Sequence, residues 1–180
     1  MKRTLVIHPK DRSTDFLKPI YENIADKTVV MGGVSISELH KLIDEHERII
    51  MMGHGCPDGL FSLGLFPNSY GLAISSDTVF LLENKECIFI WCNADQFVKR
   101  HGLKGFYSGM FISEVGESYY CGIPTNQSVV TESNDTFANI LKEEINQPLN
   151  VIHERVTLLY NELAHTNPVA KYNNERIYLS

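Results

Sequence analysis

Two apolar runs in this chain each end on a side chain capable of covalent or proton-transfer chemistry. Arg48-Ile-Ile-Met-Met52 leads into Gly53-His54-Gly55, and Cys87-Ile-Phe-Ile-Trp91 leads into Cys92-Asn93-Ala94-Asp95. Continuously apolar runs of this length read as buried parallel strands. Neighbouring parallel strands bring their carboxyl ends to one edge of a sheet, where open α/β sheets place their sites. An imidazole and a thiol meeting there can make an activated nucleophile, with His54 as proton carrier and Cys92 as attacking group. The backbone amides of Gly55 and Cys92 are the natural oxyanion donors, and a glycine at 55 would let a substrate carbonyl approach the backbone. Asp95 and Asp58 are secondary candidates, able to orient His54 or to receive a basic substrate side chain. Asp11, Ser13 and Thr14 leave the first strand toward the same edge. Hydroxyls and amides that open a helix can hold an anion, although capping explains Ser13 and Thr14 without a ligand. A cysteine that ends an apolar strand also has a plain reading, as a small buried hydrophobe.

The elements that must position these residues follow from periodicity and punctuation. Strands are expected at Thr4 to His8, Lys27 to Met31, Arg48 to Met52 and Cys87 to Trp91, with a fifth at Ser118 to Ile123 and an edge strand at Arg176 to Leu179. An amphipathic helix is expected from Asp15 to Ile24, begun or kinked at Pro19. Ser35-Ile-Ser-Glu38 has capping-box spacing before a helix ending about His46. Leu60 to Phe66 and Tyr70 to Ile74 flank Pro67-Asn-Ser69 and suggest a small β-excursion. Helices follow from Thr78 to about Asn84, from Gly102 to Glu114, from Ser133 to Asn146 and from Pro148 to about His165. Strands alternating with helices predict a three-layer αβα domain with a mainly parallel sheet. The 180 residues fit one such domain.

Composition narrows the function. A formal charge of −6 and a pI near 5.6, with no dense basic cluster, argue against nucleic acid as a partner. No run of 18 apolar residues exists, so no membrane span is expected, and the start reads as a strand instead of a signal peptide. The four cysteines (Cys56, Cys87, Cys92, Cys121) have no CxxC spacing, which points to reduced thiols in the cytoplasm. Cys56 and Cys87 read as structural and Cys121 as core. Neither a metal site nor a cofactor fingerprint is expected: paired zinc ligands are missing, as are Walker and Rossmann glycines.

From Arg48 to about Asn146 this order of parts resembles the caspase-like (clan CD) cysteine peptidases, and most of all their CHAT-type bacterial branch. In that fold a strand ends in a histidine-glycine pair, matched by His54-Gly55; a small excursion and a helix follow. The next strand delivers the cysteine, matched by Cys92 after Ile88-Phe-Ile-Trp91. Gly102-Leu-Lys-Gly-Phe-Tyr-Ser-Gly-Met-Phe-Ile112 looks like the Gly-Leu…Phe…Gly segment that follows. The resemblance implies a caspase-like fold and a His54–Cys92 dyad that cleaves peptide bonds in a peptide or protein substrate. The chain departs from the family in having Trp91 before the cysteine and Asn93-Ala94-Asp95 after it. Its histidine-to-cysteine spacing of 38 residues (92 − 54) is shorter than the roughly 50 of caspases. Two other readings stand beside this one: a catalytically silent caspase-like fold serving as a regulatory or small anionic-ligand-binding module, and a flavodoxin-like small-molecule binder. A protein partner or a homo-oligomer is compatible with each.

Overall fold

A computed structural model describes residues 2–180. The chain opens with strand β1 (Thr4–Ile7), a 3-10 helix (Arg12–Tyr21), β2 (Lys27–Val30), helix α1 (Ile36–Glu45) and β3 (Arg48–Met52). An excursion follows, in which β4 (Gly55–Cys56), β5 (Gly59–Phe61) and β6 (Leu72–Ile74) form a small antiparallel sheet. Short α2 (Val79–Leu82) then leads to β7 (Glu86–Ile90), α3 (Ala94–His101), β8 (Phe106–Ser108) and α4 (Val115–Tyr120). Helices α5 (Gln127–Glu144), α6 (Leu149–Ala164) and α7 (Pro168–Asn174) precede the last strand, β9 (Ile177–Leu179).

The main sheet has the order β2-β1-β3-β7-β8-β9, parallel throughout except for antiparallel β9. Side chains alternate across it, as period-2 geometry requires. Leu5, Ile7, Ile49, Met51, Cys87 and Phe89 face one core, closed by Leu39 and Ile43 of α1 and Phe97 of α3. Val6, Ile50, Met52, Ile88 and Ile90 face the other, closed by Leu17 and Ile20 of the 3-10 helix, Phe137 of α5 and Val156 and Tyr160 of α6. The result is the three-layer αβα arrangement expected from the alternation of strands and helices.

Local chemistry explains where the elements begin. Ser35 and Glu38 form the reciprocal capping box that starts α1. Asp11 caps the first 3-10 helix through the Ser13 amide, so the turn begins earlier than the apolar pattern of residues 15–24 suggests and carries Pro19 inside it.

Four expectations are corrected. The stretch from Gly102 to Glu114 is not helical. Gly105, at φ +156°, passes so close to β7 that a Cβ there would lie 2.4 Å from the Cys87 carbonyl oxygen, and the chain continues as strand β8. Ser118 to Ile123 is not a strand but overlaps α4, whose first turn is held by a reciprocal cap between Glu114 and Glu117; Tyr119 and Tyr120 point to solvent. Helix α5 begins at Gln127, capped by Asn126, not at Ser133. Ser133 lies inside the helix, where its hydroxyl is 2.6 Å from the Tyr160 hydroxyl. The unanticipated α7 is set by Asn167, whose carboxamide oxygen caps the Val169 and Ala170 amides beside Pro168 at the first helical position.

Candidate active site

The site grows out of the pairing of β3 with β7. These strands are parallel and in register, Met51 with Phe89 and Met52 with Ile90. The Gly53 amide donates to the Ile90 carbonyl at 3.0 Å, carrying the ladder one residue beyond β3. His54 and Cys92 each lie two residues past their strand, and they line the same small cleft with Thr14, Leu17, Phe111 and Ser113. Its volume is about 20 Å³, room for about one water molecule. A polar groove of about 350 Å³, lined by Arg12, Ser13, Glu114, Gln127, Asn134 and Asp135, shares Phe16 and Ser113 with the cleft.

His54 is oriented by the exit of β1. Its Nε2 is 2.6 Å from Ser13 Oγ, which in turn donates to Asp11 Oδ1 at 2.7 Å. With the serine proton directed at the carboxylate, Ser13 accepts from an Nε2–H tautomer of His54, which makes Nδ1 the basic nitrogen. The Ser13 amide also donates to Asp11 Oδ1 at 2.8 Å, and the two donations hold the Asp11 carboxyl below its usual range. Carboxylate, hydroxyl and imidazole thus form a relay that fixes both the ring and its tautomer.

Cys92 is held differently. Its Sγ lies 3.4 Å from the Phe111 carbonyl oxygen and 3.7 Å from Glu117 Oε1. Burial, seconded by the Glu117 charge, pushes the thiol up to about 12, so it is protonated near neutrality. Glu117 is itself fixed: Oε2 accepts from the Ser113 amide at 2.7 Å, the Ser113 hydroxyl at 3.0 Å and the Glu114 amide at 3.1 Å. The Cys92 amide makes no backbone hydrogen bond among the described residues. The next residue, Asn93, adopts a left-handed conformation (φ 65°, ψ 27°) and turns the strand sharply into α3. A left-handed residue other than glycine, directly after a candidate nucleophile, is the kind of local strain that functional sites carry.

No protein-family model, curated protein or solved structure matches this chain.

The remaining sequence candidates fall into three groups. Asp11 and Ser13 enter the site as the relay to His54. Thr14 is buried, its hydroxyl 3.0 Å from His8 Nε2 and donating to the Asp11 carbonyl, so it serves the fold beneath the cleft. Asp58 and Asp95 do not line the cleft: Asp58 pairs with Arg100 at 2.6 Å, and Asp95 with Lys99 at 3.1 Å along α3. Among the other thiols Cys87 is fully buried, whereas Cys56 and Cys121 are partly exposed. No group of three side chains suited to a metal ion occurs among the described residues, and none of their helices is long and apolar enough to cross a membrane.

Gly55 has a packing reason for being glycine. A Cβ there would sit 2.3 Å from Trp91 Cδ1, so the buried indole occupies the space a side chain would need. Trp91 also donates from Nε1 to the Cys56 carbonyl at 3.1 Å, tying β7 to the excursion. The bulky residue before Cys92 is thus a packing anchor for the loop that carries His54-Gly55. Gly55→Ala is expected to cost about 1–3 kcal/mol through overpacking. Urea denaturation checks this, and an unchanged midpoint would mean that the indole has room to move.

Glu117 is the site residue that sequence reasoning missed. The acidic pair Glu114 and Glu117, three apart, is a helix-start signal, masked by the β-forming character of Tyr119, Tyr120 and Ile123. The Ser13–His54 contact joins residues 41 apart and had no local signal.

Proposed function

We propose that the chain is a cysteine endopeptidase of caspase-like type, held at rest with its nucleophile protonated. The observation that carries the reading is the relay from Asp11 through Ser13 to His54 Nε2. It leaves Nδ1 as the base in a cleft that Cys92 also lines. In the reaction His54 Nδ1 takes the Cys92 proton, and the thiolate adds to the scissile carbonyl carbon. The tetrahedral oxyanion turns to the Cys92 amide, and His54 then gives its proton to the departing amine. Water, deprotonated by the same nitrogen, attacks the thioester, and cleavage of the C–S bond returns the thiol. The order of parts adds support, since a strand, His54-Gly55, a β-excursion, a short helix and a strand ending at Cys92 follow one another as the family resemblance leads one to expect. The polar groove beside the cleft offers room for substrate residues flanking the scissile bond. Such chemistry needs a reduced thiol, which fits a cytoplasmic setting, and its substrate is a peptide or protein.

The thiol near 12 and the roughly 20 Å³ cleft favour a second reading, a catalytically silent caspase-like fold acting as a regulatory or anionic-ligand-binding module. Incubation with a diverse peptide mixture, followed by mass spectrometry of the fragments, separates the two. The peptidase reading expects new cleavages that vanish with both Cys92→Ala and His54→Ala. A fragment pattern that is the same in the wild type and both variants supports the silent fold.

A further inference from the structure

A cavity of about 530 Å³ lies at the opposite edge of the sheet, among the amino ends of β1, β3 and β7. Its size is that of a small-molecule site. Arg48, the first residue of β3, forms part of its wall although only 5% of that residue is exposed. A guanidinium this deeply buried normally has its donors satisfied. Arg48 does not: Nε lies 3.0 Å from Glu86 Oε1 but is not aligned for a hydrogen bond, and Nη2 has no acceptor. Glu86 is shared, because it also pairs with Lys2. The ionised groups lining the cavity are Lys2, Arg48 and Glu86, which leave one positive charge over.

A second feature converges on the same place. Helix α6, sixteen residues long, starts beside the cavity, whose wall includes Gln147 and Pro148. No side chain caps it. The amides of Leu149, Asn150 and Val151 precede its first hydrogen bond, from Ile152 to the Pro148 carbonyl. An uncapped first turn carries unpaired N–H groups and the positive end of the helix dipole. Asn146, whose Nδ2 donates to the Asn23 carbonyl, adds a polar wall between the helix and Arg48.

We propose that this cavity binds the phosphate group of a small molecule, held by Arg48, Lys2 and the first turn of α6. Lys2, Arg48 and the residues that lead into α6 border one cavity from three sides, an arrangement that suits a tetrahedral oxyanion better than a flat carboxylate. The bound phosphate places negative charge beside the buried Arg48 guanidinium and offsets the surplus positive charge. The site is separate from the His54–Cys92 cleft and stands whether or not that cleft cleaves peptides.

The test uses inorganic phosphate and glycerol 2-phosphate as probes, with chloride and succinate at matched ionic strength. Thermal unfolding should show a saturable, phosphate-dependent rise in Tm of several degrees in the wild type. Amide resonances of residues 149–151 should shift in the same titration. Arg48→Met, which keeps the aliphatic bulk, should weaken binding at least tenfold. Gln147→Glu, an exposed substitution that leaves the core untouched, should weaken it at least fivefold and serves if Arg48→Met does not fold. No saturable response to either phosphate, equal binding by wild type and Gln147→Glu, or succinate binding as tightly as phosphate would overturn the proposal.

Discussion

Replacing Glu117 by glutamine is expected to raise the rate of Cys92 alkylation at pH 7.5 by about three- to tenfold. The largest part of the upward shift of this thiol comes from burial, which the substitution leaves alone; the next comes from the Glu117 charge, which it removes. Each unit by which a thiol pKa falls raises the thiolate fraction about tenfold and lowers intrinsic nucleophilicity about threefold, so the net gain is modest per unit. The sign is fixed, because a neutral side chain at 117 no longer opposes a negative sulfur. Glutamine can still accept from Ser113 and Glu114, so α4 should remain capped, with a loss of roughly 1 kcal/mol for the weaker charge-free bonds. In the Glu117→Gln background His54→Ala should bring the rate of labelling by a peptide-like electrophile down at least tenfold. Site-resolved mass spectrometry of alkylated peptides reads both effects. A Cys92 rate unchanged by Glu117→Gln would remove the carboxylate from any part in holding the nucleophile at rest.

The second large effect is acid destabilisation through His8. This residue is fully buried at the end of β1, with Nδ1 3.2 Å from the Tyr21 hydroxyl and Nε2 3.0 Å from Thr14 Oγ1. Burial, helped by the charge of Lys18 and opposed by Asp15 and Asp11, lowers it from 6.5 to about 4. Between those two values the unfolded chain binds a proton that the folded chain refuses. Stability is therefore intact above 6.5 and falls as the pH drops toward 4. The shift corresponds to about 3 kcal/mol in full, most of it lost by pH 4.5. Urea midpoints for the wild type and His8→Gln should converge as the pH falls from 7.5 to 4.5, because the variant lacks this titration. Parallel pH profiles for the two proteins would contradict the assignment. The consequence reaches the site: His8 supports Thr14, which lies next to Ser13 of the relay and forms part of the cleft wall.

The parts of this architecture that were legible in the sequence are those written locally. The three parallel strands β1, β3 and β7 are apolar runs after their first residue, the α1 capping box is spelled by Ser35 and Glu38, and the excursion is bracketed by turn residues. The placement of His54 and Cys92 at adjacent strand ends followed from those runs. Beyond Cys92 the local signals compete. Phe106 to Ser108 has helix-like apolar spacing around it, yet Gly105 allows a close approach to β7 that only the assembled sheet reveals. The aromatic residues of α4 favour a strand in isolation, but their helix is set by side-chain caps and has no strand partner. Polar residues inside α5 look like a helix start because their buried partners, Tyr160 for Ser133 and the Ser113 carbonyl for Asn134, are distant in sequence. The same limit applies at the site. Histidine and cysteine could be placed at one sheet edge by strand order, while the serine beside one and the glutamate beside the other required the fold.

The most direct test of the central claim is the rate at which a peptidyl acyloxymethyl ketone modifies each of the four cysteines, in the wild type and in His54→Ala. The account predicts that Cys92 reacts ahead of Cys56, Cys87 and Cys121, and that its rate falls by about a hundredfold when the imidazole is removed. Indiscriminate modification of the accessible thiols, or a Cys92 rate indifferent to His54→Ala, would contradict it.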